Sequence, residues 1–287
     1  MPTAPSLPVK GSLTLAYTVS MAVAVAAVIA SAAGLLYPSA VYPTPDLLRA
    51  FRPNDVANLV VGMPALLGSM GLARRSALVG LLLWPGALFY VLYNYLIPLF
   101  CLPLNMAFLL ELSLVTFSVY TIIGLVGRID ATLVKHRLAG AVRERIGGGV
   151  LAGAGVLIFA RVIGVLVSAI VNRTGVSSTD LATDVADFLM SPALIVGGVQ
   201  LWRRKAQGYV TGLGLLFLVS LLFVGLVVFM VARPLTTGER LVLSQALVIT
   251  VMGLIFLVPF GLFLRGAVVD RHLSEPDEDA LCPSEKN

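Results

Sequence analysis

Ionisable and amide side chains set inside long apolar runs are where this chain could do chemistry, because a charge at the centre of a membrane helix costs about 2.5 to 3.5 kcal/mol on insertion scales. Arg161, near the middle of FARVIGVLV, is the clearest case. It is too deep to snorkel, so it should face other helices and find a carboxylate. Asp184, Asp187 and Glu111 are the candidates for that partner. An Arg so placed serves either as a fixed ion pair or as part of a ligand or ion site. Asp55, Asp184 and Asp187 also fit a simpler reading, as first-turn carboxylates stabilised by unpaired amides at a helix start. Tyr90 and Asn94 lie four residues apart, so they share one face of their helix. An aromatic belt accounts for the tyrosine, but a lipid-facing amide would be unsatisfied, so Asn94 should point inward and bond another span. Asn58 completes the set of candidate cavity or ion-pair residues.

The elements that must position these groups are membrane helices. The 287 residues are 58% hydrophobic and only 12% charged, with mean hydropathy +0.96, far from the composition of a soluble domain. The net charge of +5 comes from Lys and Arg placed between apolar runs, not from a basic patch interleaved with aromatics, which excludes nucleic acid as a partner. Cys101 and Cys282 sit too far apart in the pattern to imply a disulfide, and His136 and His272 lie outside the apolar runs. With no HExxH, GxSxG, P-loop or dinucleotide turn, no catalytic, cofactor or metal site is expected, and an enzyme is the less favoured class.

Eight runs are long enough to span a bilayer at about 1.5 Å rise per residue, which predicts an all-α integral membrane protein of eight transmembrane helices. The first run, Leu13 to Leu36, reads as a span and not a cleaved signal peptide, since it is longer than a usual signal core. The loop from Tyr37 to Pro53 holds four prolines, which predicts no continuous helix there and a second span starting near Asp55 behind an Asn54 cap. The sixth span is likewise expected to open at Asp184.

The chain also repeats itself. DVANLVVGMPALLGSMGLARR from Asp55 and DVADFLMSPALIVGGVQLWRR from Asp184 align at an offset of about 129 residues. The expected organisation is a disordered lead (1–12), a first four-span repeat (13–127), a basic connection (128–148), a second four-span repeat (149–265) and an acidic disordered tail (266–287). Two repeats of four spans insert in the same sense and are related by an axis along the membrane normal. Where the copies differ, Asn58 stands against Asp187, Asn94 against Phe223 and Arg161 against Ala32. The GxxxG pairs Gly149 with Gly153 and Gly208 with Gly212 predict close helix packing. Arg74, Arg75, Arg203 and Arg204 read as topology anchors. Fourteen of the twenty Lys and Arg residues fall in the lead, the even-numbered connections and the tail, which predicts a plasma (inner) membrane protein with cytoplasmic termini.

The DxxNLxxGxP span at Asp55 to Pro64, followed by W-x-G-x-x-x-Y-x-x-Y-N-Y at Trp84 to Tyr95, resembles a group of uncharacterised bacterial polytopic membrane proteins. The resemblance covers mainly residues 55 to 105; it implies a prokaryotic plasma membrane and carries no function.

Three functional classes follow. A small-solute or ion transporter, or a membrane ligand-binding protein, would use an outward-facing polar cavity between the repeats. A non-catalytic subunit or sensor would dock a cytoplasmic partner on the tail or the basic connection. An intramembrane lipid-modifying enzyme would need Glu111 or the Asp184 and Asp187 pair as acid and base. The expected partners are the bilayer and a small solute or ion, with a homo-oligomer also open.

Overall fold

Helices are the only open-ended elements whose backbone groups are satisfied internally in hydrocarbon, and the apolar runs fold accordingly. The computed structural model describes residues 7–239 and 242–273. The first half comprises α1 (Thr14–Leu36), a short α2 (Pro38–Val41), α3 (Pro45–Ala57), a π-helical turn (Asn58–Gly62), α4 (Met63–Arg74), α5 (Leu78–Leu99) and α6 (Met106–Arg128). After the connecting α7 (Ala131–Leu138) come α8 (Glu144–Asn172), α9 (Ser178–Trp202), α10 (Ala206–Thr237) and α11 (Leu243–Leu273). Among the described residues, eight helices are long and apolar enough to cross a membrane, α3, the π-turn and α4 counting as one.

Two helix starts differ from the sequence reading, and the difference changes what the aspartates are. Thr44 caps α3 by accepting the Leu47 amide at 3.3 Å, with Pro45 in the first turn where its missing N–H costs nothing. Asn54 is therefore no cap, and Asp55 lies deep in a helix that runs through Pro53. Ser177 caps α9 in the same way at 3.1 Å, so Asp184 and Asp187 sit in its second and third turns. Neither site is a first turn, and the macrodipole does not explain these carboxylates.

The lead is not free over the residues described. Lys10 donates its amide to Arg128 O at 2.7 Å and Asp130 donates to Pro8 O at 2.8 Å, tying the N-terminal segment to the end of α6. At the other end, α11 continues past residue 265 to Leu273; the remainder of the acidic tail, with Cys282, lies outside the described residues. The basic connection contains α7, capped by Asp130 and seated by Val134 and Leu138, both fully buried.

Two central helices, α5 and α10, cross where Gly86 meets Gly214 backbone to backbone, and a Cβ on Gly86 would overlap the Gly214 carbonyl. Around this crossing α10 packs on α3 and α9, while α5 packs on α4, α6 and α9. Most of the large fully buried side chains, Trp84, Tyr90, Tyr95 and Tyr209 among them, belong to these two helices. Trp84 donates its indole N–H to Ser20 at 3.0 Å, which satisfies the one polar atom of a wholly buried ring and seats α1.

The turns that lead into α5 and α10 share one hydrogen-bond pattern. Ala77 N bonds Leu72 O at 3.1 Å and Lys205 N bonds Gln200 O at 2.9 Å. Both place a residue other than glycine in the left-handed region, Ser76 at φ 57° and Arg204 at φ 53°, which costs about 1 kcal/mol apiece. Of the GxxxG glycines, Gly208 and Gly212 face Leu201 and Gly149 faces Trp202, but Gly153 faces open space. The close backbone contact of α8 on α9 is made instead by Gly148 against Gly198.

Candidate functional site

The eight residues singled out in the sequence fall into two separate places. The first is an open cavity of about 490 Å³ lined by α3, α5, α9 and α10, with Ile158 of α8 at its side. Thr179 and the exposed Asp180 line it at the start of α9. The buried Met190, about 16 Å further along α9 at 1.5 Å per residue, and the buried Val219 of α10 line it as well. Its volume lies in the range of small-molecule sites. The walls are chiefly apolar and aromatic: Phe51, Tyr90, Tyr93, Phe223 and Phe229 present rings, and Asn54, Asn94, Thr179 and Thr183 supply neutral polar groups. The ionisable side chains of the lining other than tyrosine are Asp180 and Asp187, both acidic.

Asp187 connects the cavity to Arg161. Its Oδ2 accepts from Arg161 Nη2 at 2.8 Å, its Oδ1 accepts from the Tyr93 hydroxyl at 2.8 Å, and the same Nη2 reaches Asp184 Oδ1 at 2.8 Å. Arg161 thus meets two of its three expected partners. Its direction was not foreseen: the side chain is 51% exposed, running along the outside of α8 to reach α9, whereas Asp184 is 5% and Asp187 14% exposed. Two adjacent carboxylates one turn apart draw the guanidinium onto α9, so the group is neutralised without entering the cavity.

Asn94 lines the cavity as an inward-facing residue, yet it bonds its own helix and not another span. Its Nδ2 donates to Tyr90 O at 2.9 Å. Tyr90 also lines the cavity and is wedged between Gly62 of the π-turn and Gly225 of α10, either of which would strike the ring if it carried a Cβ. Both Gly62 and Tyr90 belong to the two motifs quoted above, which therefore meet in space.

The second place is a polar cluster among α1, α3, α5 and α6. Asp55 is 4% exposed and its Oδ2 accepts from the Tyr42 hydroxyl at 2.8 Å. Ser31 shares a 2.8 Å hydrogen bond with Tyr95, which also reaches Ala27 O at 2.8 Å. Glu111, 4% exposed, stands in this cluster and not beside Arg161. Its Oε2 has no hydrogen-bond partner, and neither has Asn58 Oδ1. Asp55, Asn58 and Glu111 are thus neither cavity lining nor members of an ion pair among the described residues. Tyr42 lies between α2 and α3, outside the spans, and burial together with the Asp55 charge holds its hydroxyl well above the ordinary phenol range.

Tyr93, Tyr42, Ser31, Thr183 and Asp180 were not among the expected site residues. Tyr93 carried a signal, since it neighbours Asn94 in a helix already marked as polar-faced. Tyr42 carried none, because its role depends on α2 folding the proline-rich loop back over Asp55. At the opposite end of the bundle the anchors are structural: the Arg74 guanidinium lies 5.5 Å from the Tyr17 ring centroid, and Glu144 takes the Tyr209 hydroxyl at 2.8 Å with Arg204 at 3.8 Å. No group of three or more His, Cys, Asp or Glu side chains among the described residues is placed to hold a metal.

No protein-family model matches the chain, and no curated protein or solved structure matches it either. The fold and the site therefore define a class on their own terms: a multi-pass α-helical membrane protein embedded in the bilayer, with an aromatic and acidic cavity between its central helices.

Proposed function

We propose that the chain is a transporter, or a membrane ligand-binding relative of one, whose cavity takes a small organic cation. The observation that carries this reading is the lining: aromatic faces and two carboxylates, with no Lys, Arg or His among the cavity residues. An ammonium group is attracted to ring faces and to Asp180 and Asp187, and its apolar body fits the Phe and Leu walls. A carboxylate solute would meet only like charge there. Arg161 does not reverse that balance, because its single charge is set against both Asp184 and Asp187.

Asp180, the exposed residue at the start of α9 in the lining, lies at the end of the bundle that carries the odd-numbered connections, which hold five of the twenty Lys and Arg residues. By the positive-inside rule that end faces outward and the termini face the cytoplasm.

We also infer that the two halves are a parallel duplication. The shared turn geometry before α5 and α10 and the Gly86–Gly214 crossing support it. So does a shift in register: Asp55 pairs with Asp184 at the original offset, whereas Gly80 with Gly208 and Gly86 with Gly214 run one residue shorter. A π-turn is a one-residue insertion in an α-helix, and the Asn58–Gly62 turn of the first half lies between those positions. In this register Asn94 stands opposite Leu222 and not Phe223. Both of those residues line the cavity.

Calorimetric titration of the purified chain with tetraethylammonium tests the reading. Saturable binding that weakens roughly tenfold in Asp180→Asn and in Tyr93→Phe is expected. Binding of benzoate in preference to tetraethylammonium, or no binding of either, would overturn it.

A further inference from the structure

Asp55 on α3 and Glu111 on α6 are two buried carboxylates on helices that both pack against α1, Glu111 feels the Asp55 charge, and neither makes an ion pair among the described residues. Two negative charges in one low-dielectric cluster without a cation are not sustainable; one group must be neutral. The groups that face them are Ser31 from α1, Tyr42 from the α2–α3 link, Tyr95 from α5 and each other, and none of these is a base that could take the charge. The two carboxyls are not equivalent. Asp55 receives the Tyr42 hydroxyl at 2.8 Å, a donor that suits an ionised carboxylate. Glu111 Oε2 is buried and has no partner at all.

We propose that Asp55 and Glu111 form a closed proton-binding site in which Glu111 holds the proton at rest and Asp55 is the charged partner that can accept it. The bound cation is a proton and not a metal ion because α1 closes directly on the carboxylate: a Cβ on Gly34 would overlap Asp55 Oδ2. A shell of oxygen ligands around a metal has no room on that side. The site is also joined to the cavity. Helix α3 carries Asp55 alongside Phe51 and Asn54 of the cavity wall, and α5 carries Tyr95 alongside Tyr90, Tyr93 and Asn94. Any movement of α3 and α5 around a bound solute therefore bears on the proton, and by linkage the proton bears on the solute. In that role the proton is the coupling ion of the transporter, a step that rests on the function proposed above.

Infrared spectroscopy of the full chain in lipid nanodiscs at pH 7, with neither salt nor organic cation added, tests the site without any solute. A protonated-carboxyl absorption present in the native protein and lost in Glu111→Gln, but retained in Asp55→Asn, is expected. Should Glu111→Gln fail to fold, the double variant Asp55→Asn/Glu111→Gln supplies the same subtraction. Absence of the band from the native protein at pH 7, its survival in Glu111→Gln or in the double variant, or its removal by sodium chloride at constant pH would overturn the proposal. Adding tetraethylammonium separates the coupling from the site: a shift of the band supports coupling, and an unchanged band in a protein that binds the probe leaves the proton site standing and removes its coupling role.

Discussion

Tyr93 on α5 donates its hydroxyl to Asp187 on α9 at 2.8 Å, and this bond ties the two helices across the wall of the cavity. It leaves the other oxygen of Asp187 for Arg161. The charge outside the bundle and the polarity inside the cavity thus meet on one carboxylate.

Removing the phenolic hydroxyl tests that tie. Tyr93→Phe keeps the ring and deletes one hydrogen bond to a charged group, which should lower stability by about 1.5 to 3 kcal/mol. Thermal unfolding in detergent should show the fall, and Asp187→Asn in the Tyr93→Phe background should add less than it does alone.

Arg161→Ala should be more damaging than the exposure of Arg161 alone suggests, because Asp184 and Asp187 are left adjacent and uncompensated at 5% and 14% exposure. A loss of about 2 to 4 kcal/mol is expected, the lower part of the range reflecting the half-exposed guanidinium. Asp184→Asn should restore part of it, which a double-mutant cycle of unfolding temperatures would measure.

The α5–α10 crossing admits no side chain. Gly86→Ala puts a Cβ against the Gly214 carbonyl, so the helices must separate at a cost of about 1 to 3 kcal/mol. Membrane insertion should be unchanged while the yield of monodisperse protein in gel filtration drops.

Cys101 lies in the α5–α6 connection, where burial pushes its thiol above the usual thiol range and its Sγ meets Ser178 O at 3.5 Å. The reactive thiolate is then scarce at neutral pH and grows only as pH rises past that of an ordinary thiol. Maleimide labelling of Cys101 in a Cys282→Ser background should accordingly be slow at pH 7 and accelerate above pH 9.

Much of the architecture was legible because hydropathy reports span length directly: α5 and α6 begin and end close to where the apolar runs do. The helix starts at Thr44 and Ser177 were misplaced because polar first turns of α3 and α9 extend beyond the apolar stretch, and hydropathy does not see them. Arg161 could be assigned to Asp184 and Asp187 from charge alone, since the cost of an unpaired Arg in a span leaves few partners. The separation of Glu111 from that group could not, because both lie at similar depth and only helix packing distinguishes them. The π-turn at Asn58–Gly62 was not legible either, because its sequence NLVVG reads as continuous helix; under the duplication inferred above it accounts for a one-residue slip that an ungapped alignment does not see.

The most direct test of the central claim places a reporter in the cavity. In a Cys101→Ser/Cys282→Ser background, Thr183→Cys should react with a membrane-impermeant maleimide added outside right-side-out vesicles, and tetraethylammonium should slow that reaction several-fold. Labelling only in inverted vesicles, or labelling at a rate that tetraethylammonium leaves unchanged, would contradict an outward-facing cavity for a small organic cation.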